Sequence, residues 1–107
     1  MGILKSEALH YVARALRDGM VIVTDELTAG PMGNATGTGP EFKIHVDEAF
    51  PNGMPKGTYP FFDARDAAMV VVDRYGRGKA RLLVVNAYER KGLRAPDYVR
   101  EKKRRTR

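Results

Sequence analysis

This chain of 107 residues has no cysteine, a single serine at Ser6, and only two histidines, His10 and His45. The missing thiols exclude disulfides, thiolate catalysis, iron–sulfur clusters and cysteine zinc sites. The lone serine has no motif around it, so a serine-based triad finds no nucleophile. A zinc site takes three or four converging ligands. His10 sits in a helical pattern and His45 in a strand pattern, with no ligand neighbour. Each therefore reads as a surface or interface histidine, and neither a metal nor any other cofactor is expected. No apolar run approaches the ~20 residues that a membrane helix needs. Lys5 and Glu7 interrupt the opening residues before an apolar signal core forms. The expectation is an intracellular protein without a membrane partner.

What is present is a single domain's worth of chain, 43% hydrophobic and 30% charged, with a net charge of +6. The charge is unevenly placed. Residues 90–107 hold nine Lys or Arg against two acids, a net of +7, whereas residues 1–89 hold ten against eleven, a net of −1. The body is near neutral and the basicity belongs to the end of the chain. The sequence divides accordingly into one α+β domain over 1–92 and a basic C-terminal extension over 93–107.

Residues 3–18 are predicted to form a helix. Leu4, Ala8, Tyr11, Val12, Ala15 and Leu16 recur at spacings of three and four and share a face. Ser6 is the expected cap, Glu7 suits the positive end of the helix dipole, and Gly19 is the expected stop. Residues 20–24 read as a short buried strand, being β-branched and bounded by turn formers. Six glycines and five prolines then fall between positions 30 and 60, a composition that cannot hold a helix. Within it Phe42, Ile44 and Val46 alternate with Lys43 and His45, the pattern of a half-buried strand. Residues 30–40 and 51–60 are left as two long loops, of the kind that often serve as binding arms.

The run from Ala67 to Tyr75, with three consecutive valines, reads as a third strand, broken by Gly76-Arg77-Gly78. Residues 79–90 admit two readings. Ala80, Leu83, Val84, Ala87 and Tyr88 follow helical spacing, while a hairpin over the glycine turn makes them a returning strand. The helix fits better, because Leu82–Val85 is apolar on both faces of a strand. Gly92 ends this element, and Pro96 permits a short new helix. The fold class that follows is α+β. It has a small three- to four-stranded sheet, an N-terminal amphipathic helix and a second helix packed on one face, and long loops rich in glycine and proline.

Several motifs invite chemistry and point elsewhere on inspection. Gly30–Gly39 follows a strand but lacks the Gly-Lys-Ser/Thr ending of a phosphate loop. Gly76-Arg77-Gly78-Lys79 is a better anion candidate and equally an ordinary turn. Asp63 with Asp66, and Asp25 with Glu26, are paired carboxylates, but acid–base work needs a cleft around them. Asp63 also suits a helix or turn cap. Gly2 with Ser6 matches a myristoylation pattern, a match common by chance at a serine already expected to cap a helix, and Asn34-Ala35-Thr36 is a glycosylation triplet, irrelevant without secretion. The expectation is that this protein is not an enzyme.

Two surfaces remain as candidates. Met32, Phe50, Met54, Tyr59, Phe61 and Phe62 place six large apolar side chains in the loops. They either form an oligomer or partner interface, or fold back over the sheet to finish the core. Arg100, Lys102, Lys103, Arg104, Arg105 and Arg107 would attract nucleic-acid phosphates through counterion release. Tyr98 is the only ring in that stretch, so the contact expected is independent of sequence and sensitive to salt. A solubilising tail fits the same charge run.

The order of elements resembles a tail terminator or neck protein of a long-tailed bacteriophage. The resemblance rests on the amphipathic Glu7–Arg17 segment, the strand Val21-Ile-Val-Thr-Asp, and the glycine–proline loop leading to Phe42–Val46. It continues through Asp66-Ala-Ala-Met-Val-Val-Val-Asp-Arg-Tyr-Gly-Arg-Gly into helix-like Lys79–Arg90. It spans roughly residues 5–91 and implies a subunit of a hexameric, homo-oligomeric ring. Such a ring caps the tail tube around a DNA-conducting lumen and docks to the head connector and other virion proteins. It carries no catalytic residues. Its location would be the virion, assembled in the host cytoplasm. A connector, stopper or minor virion protein fits the same features. The alternative of a different class is a small nucleic-acid-binding accessory protein that contacts phosphates through its basic tail.

Overall fold

The computed structural model describes residues 4–32, 41–50 and 53–100. The first helix, α1, spans Lys5–Arg17. Ala8, Leu9, Val12, Ala13, Ala15 and Leu16 bury one side of it. Leu4, expected on that side, is the residue before the helix and is 61% exposed. The start is held by Glu7 instead of Ser6: the Leu4 amide donates to Glu7 Oε1 at 3.1 Å. Gly19 ends the helix as expected. Its φ of +86° lets the Gly19 amide reach Leu16 O and the Met20 amide reach Ala15 O, the doubly bonded end that glycine favours.

The chain then builds a four-stranded antiparallel sheet in sequential order: β1 Ile22–Val23, β2 Leu27–Pro31, β3 Phe42–Val46 and β4 Gly57–Phe61. The strand read at 20–24 is thus only the first arm of a hairpin. Its second arm, β2, begins in the turn formers that followed. β3 lies where the alternation put it. The segment expected as a loop over 51–60 ends in β4, which pairs Phe61 with Phe42 and Tyr59 with Ile44. Residues 33–40, most of the other loop and of the Gly30–Gly39 motif, lie outside the described residues.

Register sorts the sheet into two faces. Ile22, Leu27, Ala29, Phe42, Ile44 and Val46 are buried beneath the helices. Val23, Thr28, Lys43, His45 and Thr58 alternate with them and point the other way. Gly30 belongs to this outer face, and a Cβ there would stand 3.1 Å from Val21 Cγ2, so the glycine lets Val21 lie across the sheet.

Residues 67–75 are helical, not a strand: α2 covers Ala64–Tyr75. Its buried residues, Ala64, Ala67, Ala68, Val71 and Val72, keep spacings of three and four. Asp63 caps it, accepting from the Arg65 amide at 2.8 Å. The β preference of three valines is worth only tenths of a kcal/mol each, about 0.5, and burial of one continuous face outweighs it. Gly76, at φ +87°, separates α2 from α3, Arg77–Arg90, with no hairpin between them. α3 buries Ala80, Leu83, Val84, Ala87 and Tyr88, the five positions that helical spacing selects.

Lys5 at the start of α1 pairs with Asp73 at the end of α2 (3.2 Å). At the other end of α1, Tyr88 of α3 donates its hydroxyl to Asp18 Oδ2 at 2.9 Å. Burial pushes the Tyr88 phenol far above its ordinary value, and the Asp18 carboxylate adds to the shift. α1 therefore lies antiparallel to α2 and parallel to α3. The body continues past Gly92. A short helix, α4, Asp97–Arg100, lies across α1 and α3, with Ala95 and Val99 buried, Val99 to 1%. Arg81 fixes it by donating to Val99 O at 2.6 Å. No helix among the described residues is long and apolar enough to cross a membrane.

Candidate interaction surfaces

Elements meet at one polar knot beneath the β1–β2 turn. Thr24 Oγ1 accepts from the amides of Glu26 and Leu27 at 3.2 and 3.0 Å, closing the turn. The same hydroxyl lies 2.6 Å from Tyr75 Oη. Arg74 Nη2 donates to both Glu26 oxygens, at 2.9 and 2.7 Å, while its guanidinium stands 4.9 Å from the Phe50 ring centroid. Burial raises the Tyr75 phenol above its ordinary value. The knot joins the first hairpin, the end of α2 and the segment after β3. It explains why Glu26 and Arg74 sit half-buried, and it places Asp25 and Glu26 in the turn between β1 and β2. Asp63 and Asp66 likewise serve the start of α2.

On the outer sheet face, His45 is held from both sides. Nδ1 lies 2.7 Å from Thr58 Oγ1, and Nε2 lies 3.0 Å from Asp47 Oδ1. This row of hydroxyl, imidazole and carboxylate is exposed to solvent, which weakens its electrostatics. It fixes β3 against β4. Among the described residues, no group of three or more His, Asp and Glu side chains converges as a metal site.

The six apolar loop residues divide. Phe50, Met54, Tyr59 and Phe61 are half-buried and pack against the core. The Tyr59 hydroxyl donates to Pro55 O at 2.7 Å. Met32 is half-buried beside β3, its amide bonded to Glu41 O. Only Phe62 stands out, at 71% exposure. It precedes α2, and Met69, 40% exposed, follows on the solvent side of that helix, with Asp66 before it and Asp73 after it on the same side. Leu4, also exposed, directly precedes Lys5, whose ammonium pairs with Asp73. Sequence reading missed Met69 because it placed 67–75 in a strand.

The basic end has one described member of its proposed phosphate contacts. Arg100 is exposed and shares Asp97 Oδ1 with Arg94, each at 3.6 Å. Lys102, Lys103, Arg104, Arg105 and Arg107 lie outside the described residues. Gly76-Arg77-Gly78-Lys79 is the joint and first turn of α3. Beside Arg100, Tyr98 meets two rings of α1: His10 at 5.5 Å and Tyr11 at 5.7 Å between centroids. Burial raises the Tyr11 phenol, nearby Glu7 adds to this, and Arg81 opposes it. In sequence Tyr98 stood alone; its neighbours come from 87 and 88 residues upstream and are legible only once α4 has folded back.

The elements define the class: an α+β protein with an N-terminal helix, a four-stranded antiparallel sheet and helices packed against it. No protein-family model matches the chain, and neither a curated protein nor a solved structure shows significant similarity to it.

Proposed function

We propose that this chain is a structural subunit of a virion, resembling a phage tail terminator or neck ring protein that joins the tail tube to the head connector. The observation that carries the reading is the exposure of three large apolar side chains, Leu4 before α1, Phe62 before α2 and Met69 on α2. A small body whose other three phenylalanines are buried or half-buried leaves this one 71% exposed. Apolar side chains interleaved with Asp66 and Asp73 suit a contact with a neighbour of defined register. A ring needs such a surface on one flank and a different acceptor on the other. The outer sheet face, which carries no helix among the described residues, offers that second flank.

Light scattering on the purified full chain, with negative-stain images, tests this. A discrete oligomer is expected. Phe62→Asp with Met69→Asp should return it to monomer with an unchanged circular dichroism spectrum. A strict monomer at every concentration overturns the proposal.

A second reading is favoured by the cluster at Tyr98: a nucleic-acid-binding accessory protein acting through its basic end. Binding to DNA should weaken steeply with salt, and deleting 101–107 should weaken it further and flatten that dependence. Unchanged binding after the deletion overturns it.

A further inference from the structure

We infer that Tyr98, Tyr11 and His10 form a base-stacking platform, so that the basic end of this chain binds single-stranded nucleic acid in preference to duplex. The inference rests on the second reading above and adds to it the chemical class of ligand.

Three rings from two helices lie within 6.4 Å of one another, centroid to centroid. Their planes are tilted by 33–60°, so no two of the rings are parallel. Tyr98 is 41% exposed and His10 is exposed, while Tyr11 is half-buried beneath them. The platform is rigidly mounted. Val99 is buried next to Tyr98, and Arg81 holds the carbonyl of Val99.

The charges around the platform decide what it would receive. On α4 and its approach, Arg94 and Arg100 share a single acid, Asp97. On α1, Arg14 is paired with Asp18, Glu7 lies near Tyr11, and Arg17 is a further cation. The seven residues following Arg100 contain five cations and one acid, a net of +4. Flat, half-exposed rings at the root of a cationic run match the two halves of an unpaired strand, whose bases offer π faces and whose backbone offers phosphates. A duplex presents only the phosphates, because its bases are already stacked. An acidic protein partner is the less suited occupant, since it gains from the cations but has no use for a row of ring faces.

The test is fluorescence anisotropy of the full chain against a labelled 20-nucleotide oligo(dT) and a 20-base-pair duplex, across a salt series. The single strand should bind more tightly than the duplex. Tyr98→Leu keeps the apolar bulk that seats α4 but removes the ring. It should weaken oligo(dT) binding about five- to thirty-fold, with less than a two-fold effect on the duplex. Tyr98→Phe should restore it. Deleting 101–107 should weaken both ligands and flatten the salt dependence, whose slope on the single strand is at most about −4 for six phosphate contacts. Equal affinity for strand and duplex, or no effect of Tyr98→Leu, overturns the platform and leaves the tail reading standing. Loss of ring dependence together with full competition by heparin has the same meaning. No effect of the deletion on either ligand overturns the tail reading itself.

Discussion

Removing the Glu26 carboxylate is the most informative single perturbation of this fold. Among the described residues Arg74 has no second acid: Nη2 donates twice to Glu26, and its buried Nε has no hydrogen-bond partner there. Glu26→Gln keeps the shape and deletes the charge. A hydrogen bond to a charged group is worth about 1.5–3 kcal/mol. Both side chains remain a quarter to a third exposed, at 24% and 32%, so solvent screening lowers the expectation to about 1–2 kcal/mol. For a chain of this size that corresponds to a loss of roughly 5–10 °C in melting temperature. The chain has no tryptophan, so unfolding is best followed by far-ultraviolet circular dichroism in urea. Arg74→Met alone should cost a similar amount, because it also removes the guanidinium from above Phe50. The double variant should cost clearly less than the sum, with a coupling of about 1 kcal/mol. Additive losses, or single losses below about 0.3 kcal/mol, would refute the claim that this pair locks the first hairpin to α2.

Two further outcomes follow from the helices. The Tyr88 phenol is held above its ordinary 10.0, so the folded state keeps this proton longer than the unfolded chain does. Its contribution is full below pH 10 and fades as pH rises beyond it, and Tyr88→Phe should flatten that alkaline decline while lowering stability by about 0.5–1.5 kcal/mol in neutral urea titrations. Gly76→Ala should cost about 1–2 kcal/mol, because φ there is +87° although a Cβ would meet nothing within 4 Å. Gly78→Ala, in the first turn of α3, should instead stabilise by about 0.5–1 kcal/mol. Melting temperatures moving the same way for both glycines would contradict this account of the joint.

Much of the fold is legible in the sequence wherever one period runs uninterrupted. Ala8, Val12, Ala15 and Leu16 mark α1, Phe42, Ile44 and Val46 mark β3, and the five buried positions of α3 are those its spacing selects. The error at 67–75 is instructive. Ala64, Ala67, Ala68, Val71 and Val72 show the same helical spacing, and Asp63 announces its start, but three valines suggest a strand by composition. Burial of a face decided the outcome, not the residue type. β4 was hidden for the opposite reason. Gly57 and Pro60 are poor strand formers, and only pairing with β3 makes this segment a strand. The candidate surfaces were less legible still. Phe62 is exposed while its neighbour Phe61 packs inward, a difference set by the turn between β4 and α2. The ring cluster joins residues far apart in the chain, which no local pattern reports.

The clasp between Tyr88 and Asp18 has a consequence for how the molecule is born. The first helix finishes its packing only against α3 and α4, through Tyr88 and Tyr98. During synthesis its oily side must therefore wait, bare, while the hairpins emerge. Closure at such long sequence separation slows folding. The nascent polypeptide is thus most vulnerable to aggregation until α3 and α4 have emerged, and a chaperone that shields helix-forming apolar segments would raise its yield.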